Sequence, residues 1–175
     1  MPKSDAYLYM QTSRFDLLRS LLMNELPVTG ISGLDRDHRE ILEEFVHIQN
    51  PMENFRLGQA TEKDWRAVAK LLARLERHSK HHFAGEEAYL EKINSPHLEQ
   101  HKAQHREFIE RIKAYKAVLD MKDETKIFGL KYDLFNWLYE HINTMDSEIN
   151  QETSKLPFWK NAAKGQFLFP YDLAG

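Results

Sequence analysis

The stretch HSKHHFAGEEAYLEKINSPHLEQHKAQH, residues 78–105, decides how the chain folds. It carries two pairs at one spacing: His82 with Glu86, and His101 with His105. Four residues is one α-helical turn plus a small offset, about 6 Å along the axis, so each pair projects from one helix face as a two-pronged clamp. Between the clamps, INSPH reads as a stop and restart, with Ser95 a candidate N-cap and Pro96 suited to the first helical position. The clamps therefore belong on consecutive helices that run antiparallel and face each other across a short turn. Imidazole and carboxylate meeting inside a helical hairpin are the donors a metal site needs.

The pattern extends outward in both directions. Upstream, Thr61 caps the long helix with Asp64 as its capping-box partner. From there Trp65, Val68, Leu72, Leu75, Ser79, His82, Glu86 and Ile93 keep one face for about eight turns, roughly 45 Å. The helix before it starts at residues 33–36, with Asp35 the expected cap and Leu34, His38, Ile41, Leu42 and Phe45 facing inward. It is expected to stop near Asn50-Pro51, because proline disfavours helical geometry in the preceding residue, and residues 51–60 read as loop. Downstream, a helix from Pro96 to about Leu119 turns Leu98, His101, His105, Phe108, Ile112 and Leu119 inward. Asp123 caps a fourth, whose stripe is Ile127, Leu130, Leu134, Trp137 or Leu138, His141, Ile142 and Met145.

Four amphipathic helices with modest connections predict an all-α, up-down-up-down antiparallel four-helix bundle over residues 31–150. Residues 1–30 are expected to add an N-terminal helical extension lying across the domain, with a dimerisation helix as the alternative and homo-oligomerisation left open. Residues 151–175 are expected to form a partly irregular tail packed on the bundle through Phe167, Phe169 and Tyr171.

Composition narrows the chemistry. A chain of 175 residues can bury one proper core. Without cysteine there are no disulfides, thiolate sites or cysteine nucleophiles, so a metal must be held by nitrogen and oxygen donors. Those donors suit iron, zinc, copper, nickel or manganese. A net charge of −3 with interspersed signs gives no reason to expect nucleic acid or a membrane as partner. No apolar run approaches membrane-spanning or signal-peptide form, so a cytoplasmic location is expected.

On all four helices the inward stripe carries metal-ligating residues at apolar positions: His38; His82 and Glu86; His101 and His105; His141. His38 alone would read as an ordinary hydrogen-bonded core histidine. Five imidazoles and a carboxylate converging from four helices would be costly to bury unless something positive bound them. Asp146 follows His141 by five residues, about 140° around an ideal helix, so it joins that face only if the helix frays or widens into a π-bulge. The remaining histidines, His47, His78, His81 and His97, are expected at solvated or rim positions. His78 and His97 each lie one turn before a candidate ligand.

The order H…HxxxE…HxxxH…HxxxxD resembles the hemerythrin signature. The words around it, GLDRDHREIL at His38, HFAGEE at His82 and NWLYEHI at His141, are similar to bacterial hemerythrins, and the likeness spans roughly residues 30–150. The resemblance implies two iron ions, Fe2+ or Fe3+, with a bridging oxo or hydroxo group. It implies that His101, His105 and His141 bind one iron, that His38 and His82 bind the other, and that Glu86 and Asp146 bridge both. One iron is then saturated and the other keeps an open position for dioxygen, which nitric oxide or small anions could also occupy. The open position needs a dry lining, for which Ile41, Phe83, Trp137, Leu138 and Ile142 are the candidates. The intervals His38–His82 and His105–His141 look longer than in compact members of the family, and residues are added at both ends.

Reversible dioxygen binding for transport, storage or sensing, without enzymatic turnover, is the expected function. The alternative is a di-iron oxidase, peroxidase or nitric-oxide-handling enzyme on the same scaffold. Oxidative carboxylate-rich di-iron bundles use two Glu-x-x-His pairs. Here Glu44-Phe-Val-His47 has no twin. Metal storage or a purely structural site is a third reading, which the open position and the apolar lining oppose.

Overall fold

Among residues 26 and 28–155, which the computed structural model describes, every regular element is helical. The order is α1 (Ser32–Val46), α2 (Gln49–Arg56), α3 (Glu62–Lys92), α4 (Leu98–Asp120), α5 (Glu124–His141), a π-helical segment (Ile142–Asp146) and α6 (Ser147–Ser154). The long helices α1, α3, α4 and α5 make the antiparallel bundle: α3 packs between α1 and α4, and α5 packs against α4 and back onto α1. The expected N-terminal extension and the aromatic tail of Phe167, Phe169 and Tyr171 lie outside the described residues.

The helices end where local chemistry stops them. Gly58, Asn94 and Lys122 take left-handed φ values of 62°, 54° and 55° just past α2, α3 and α4. In each case the next N–H turns back onto the helix: Gln59 to the Asn54 carbonyl (2.9 Å), Ser95 to Leu90 (2.9 Å) and Asp123 to Val118 (3.5 Å). These six-to-one bonds are Schellman closures, and they satisfy carbonyls that the last helical turn leaves open. Helix starts are fixed as well. Asp64 accepts from the Thr61 N–H at 2.8 Å, and Asp123 accepts from the Lys126 N–H at 3.1 Å.

Three local expectations need correction. Residues 51–60 are not all loop, because α2 forms across Pro51. Proline sits there in the first turn, where its missing N–H breaks no helical bond, and Met52 closes the turn onto the Ile48 carbonyl at 2.9 Å. The short helix earns its place by burying Met52 and Phe55, the latter edge-on to Trp65 at 4.7 Å. Asp35 does not cap α1, whose N-cap is Ile31; it ties in the incoming chain by accepting from the Thr29 N–H (2.7 Å) and hydroxyl (2.9 Å). Ser95 caps a turn rather than a helix: its Oγ accepts from the His97 N–H at 3.1 Å, and α4 begins at Leu98.

Buried apolar residues form two clusters. The larger takes Phe45, Leu72, Leu75, Phe83, Phe108, Ile112, Leu134 and Leu138 among others; the smaller takes Ile31, Leu34, Tyr89, Leu90 and Ile149. On α1, α3 and α4 the candidate ligands fall close to where one cluster gives way to the other. Leu34 precedes His38 and Ile41 follows it; Phe83 precedes Glu86 and Tyr89 follows it. A polar layer is thus closed at both ends by hydrocarbon.

Candidate metal centre

All seven expected residues sit in that layer. Glu86, Asp146 and His101 have no exposed surface, and the other four histidines are 1–3 % exposed. His38 comes from α1, His82 and Glu86 from α3, His101 and His105 from α4, His141 from the end of α5, and Asp146 from the end of the π segment. The π segment is what delivers Asp146. Widening the helix to an i→i+5 pattern brings the fifth residue under the first, and Asp146 Oδ1 lies 3.1 Å from His141 Nε2.

The donors fall into two halves that share their carboxylates. Asp146 divides its oxygens, with Oδ1 3.4 Å from His101 and 3.1 Å from His141, and Oδ2 3.2 Å from His38. Glu86 reaches His38 through Oε1 (3.8 Å) and both His82 (3.6 Å) and His105 (3.3 Å) through Oε2. His105 and His141 point their Nε2 atoms at one another, 3.2 Å apart. Three groupings could each hold an ion: His38, His82, Glu86 and Asp146; Glu86, His105 and His141; and His101, His141 and Asp146.

The outward ring nitrogens define a surrounding shell. His105 Nδ1 meets Glu87 at 2.8 Å, His141 Nδ1 meets Gln104 at 2.7 Å, and His101 Nδ1 donates to the His97 carbonyl at 3.3 Å. Such partners fix which nitrogen is free to bind a metal and how the ring is turned. The other half is held more loosely. His82 Nδ1 is 3.7 Å from Asp37, and His38 Nδ1 has no hydrogen-bond partner. Sequence reading missed Asp37, Glu87 and Gln104, although each stands beside a ligand position and so was open to inspection.

Electrostatics fit a site built for cations. Burial opposes ionisation of Asp146, but His141, His101 and His38 outweigh it and hold its carboxyl well below the usual range. Burial and Asp146 likewise oppose ionisation of Glu86, and His82, His105 and His38 pull its pKa down on balance. For His105, burial disfavours the charged ring, yet Glu86 and Glu87 raise its pKa to about 9. His38 and His101 also stay raised against burial, chiefly through Asp146. Without a metal, protons do the compensating. All four oxygens of Glu86 and Asp146, with His38 Nε2 and His101 Nε2, are buried without a hydrogen-bond partner. That many orphaned donors aimed at one volume is the observation that two cations would resolve.

The five candidate lining residues surround this layer. Leu138 and Ile142 are 1 % exposed and Phe83 3 %, with Phe83 stacked on His105 at 3.9 Å. Trp137 stacks on His141 at 4.8 Å and is only partly buried. Ile41 is buried and borders a 370 Å³ groove between α1 and α3 that Arg36, Asp37, Glu40, His78 and His81 also line. His47 and His81 are exposed, His78 and His97 partly so. His97 lies between two carboxylates of α6, Glu148 at 3.6 Å and Glu152 at 3.4 Å.

Helices converging on a buried set of nitrogen and oxygen donors define a metal-binding four-helix bundle. The chain belongs to the hemerythrin family: the hemerythrin HHE cation binding domain matches residues 29–152. It is 31 % identical over 123 residues to the bacteriohemerythrin of Pseudomonas aeruginosa, covering 68 % of this chain and 72 % of that protein. Against the bacteriohemerythrin of Stenotrophomonas maltophilia it is 30 % identical over 121 residues, covering 67 % and 71 %. Hemerythrin subunit alpha of Lingula anatina is 30 % identical over 123 residues, covering 70 % and 86 %. No solved structure gives a significant match. Among the described residues no helix is long and apolar enough to cross a membrane.

Proposed function

We propose that the chain binds dioxygen reversibly at a di-iron centre, as a carrier, store or sensor. The division of the donors carries this reading: three imidazoles on one side, two on the other, and two carboxylates shared between them. His101, His105 and His141 would hold one iron, His38 and His82 the other, with Glu86 and Asp146 bridging. A ferrous pair held by these residues would supply the two electrons that reversible dioxygen binding needs. The protein's own part would be to hold the imidazoles in one tautomer and to exclude water. Leu138, Ile142, Phe83 and Ile41 supply hydrocarbon around the ligand layer, which would keep water and its protons from the site.

The absorption spectrum tests this directly. The iron-loaded protein, reduced without air, should gain a visible charge-transfer band on exposure to oxygen and lose it when oxygen is swept away. A band that never reverses would sink the carrier reading. One feature favours an oxidase or peroxidase instead: the groove of Asp37, Glu40, His78 and His81 offers polar access beside the two-histidine half. Sustained oxygen consumption with an added reductant, blocked by Asp37→Leu, would decide for that second reading.

A further inference from the structure

Whichever reading holds, ferric iron formed by autoxidation has to be reduced again, and the ligands are sealed from any large donor. Each is at most 3 % exposed. Two ligand imidazoles are stacked face-on with a neighbouring ring. Phe83 lies on His105 at 3.9 Å and 6°, and Trp137 lies on His141 at 4.8 Å and 12°. Phe83 is itself 3 % exposed, so that stack ends inside the core. Trp137 is different, because it is only partly buried while one face of its ring covers His141. Phe108 holds it from α4 at 4.5 Å and 24°, and Phe83 meets it edge-on at 6.4 Å, so the indole is fixed in register.

We infer that Trp137 is the port through which electrons enter the centre. This rests on the di-iron reading above. Overlapping π-faces couple an outside donor to the imidazole more strongly than a saturated side chain does. Gln104 and Glu87 also run from a ligand towards the surface, but each does so through one hydrogen bond and an aliphatic stem. The indole conducts without being oxidised itself. A reduced flavin meeting the protein at Trp137 loses one electron, one ferric ion becomes ferrous, and the flavin proton leaves to solvent. A second such event completes the ferrous pair.

The experiment compares two reductants on the full-length, iron-loaded ferric protein. Reduced flavin mononucleotide is too large to enter the bundle; the sulfur dioxide radical anion from dithionite is small. Trp137→Leu should slow reduction by the flavin several-fold and leave the dithionite rate unchanged, and Trp137→Phe should recover most of the loss. Equal rates with flavin in all three proteins would overturn the proposal. So would equal slowing with both reductants, which would mean the ring only positions His141. Two irons per chain and an unaltered ferric spectrum in Trp137→Leu show that the di-iron reading stands independently. A second readout needs no iron: with Trp65 and Trp159 replaced by Phe, Co2+ should quench the remaining indole emission and Zn2+ should not. Emission that survives cobalt loading would place Trp137 away from the centre and defeat the inference.

Discussion

Each of the five imidazoles turns Nε2 inward, and for four of them Nδ1 faces a named acceptor outside. At this scale protons and metal ions compete for the same atoms. His105, raised to about 9 by Glu86 and Glu87 against the cost of burial, holds a proton at neutral pH in the metal-free protein. Its folded pKa lies above its unfolded value near 6.5, so its stabilising contribution is complete below about 6.5 and is lost as pH rises through about 9. Metal must displace that proton, so affinity should climb over the same interval. The gap in melting temperature between metal-loaded and metal-free protein is therefore expected to widen from pH 6.5 to pH 9. A constant gap would show that His105 does not exchange a proton for metal. Removing a shared carboxylate should do more than removing a terminal imidazole. Glu86→Ala is expected to lose both ions, and His82→Ala to keep the ion of the three-histidine half, as read by iron analysis. Two irons retained in Glu86→Ala would remove Glu86 from the bridge.

The π segment is the element with the most to explain, because it serves two neighbours at once. It brings Asp146 beneath His141, and it sets the register of α6, which buries Ile149 and bonds Thr153 to Tyr89 at 2.8 Å. Deleting the exposed Thr144 restores a four-residue spacing, the one that already places Glu86 beside His82. Two metal ions should still bind. The residues after Asp146 keep their α-helical offsets from it, so Ile149 and Thr153 should stay in their seats and the melting temperature should change little. A large fall in melting temperature would mean that the widened turn itself, and not the placement of Asp146, sets the register of α6. The legibility of the sequence follows the same line. His38, His82, Glu86, His101, His105 and His141 could be read because each falls on the helical period of an apolar stripe. Asp146 lies off that period and could be placed only on the condition of a widened helix. Proline at 51 looked like a stop, since its own first-turn tolerance and its effect on the residue before it give opposite signals, and the burial of Met52 and Phe55 decides between them. Asp37, Glu87 and Gln104 escaped because a charged or amide residue next to a ligand looks like any solvated helix face until the partner helix is in place.

At the scale of the whole molecule, the metal layer is one slice of a hydrophobic column, and carriage differs from catalysis by how dry that slice stays. Two large residues flank His141: Leu138, one turn before it on α5, and Ile142, directly after it at the start of the π segment, both 1 % exposed. Leu138 belongs to the larger cluster, which also holds Phe83 and Phe108 around the ligand rings. Leu138→Ala removes a buried side chain and should cost about 2–5 kcal/mol of stability. The functional consequence is separable from that cost. Packing density is high enough that a missing isopropyl group leaves a real void, and a void beside polar donors admits water. Under the proposed oxygen-binding reading, that water would bring protons to the centre, so the oxygenated form should decay to the ferric form faster while iron content is unchanged. Leu71→Ala makes the control, because Leu71 is equally buried but lies about three turns of α3 from His82. It should lose comparable stability with no change in autoxidation. The oxygenated form is followed by its visible band at one temperature, below the melting transition of both variants. Equal decay in the parent, Leu138→Ala and Leu71→Ala would show that the wall against water is built from other residues. Faster decay in both variants would tie autoxidation to general loosening of the bundle, and faster decay in Leu138→Ala alone is the outcome the packing predicts.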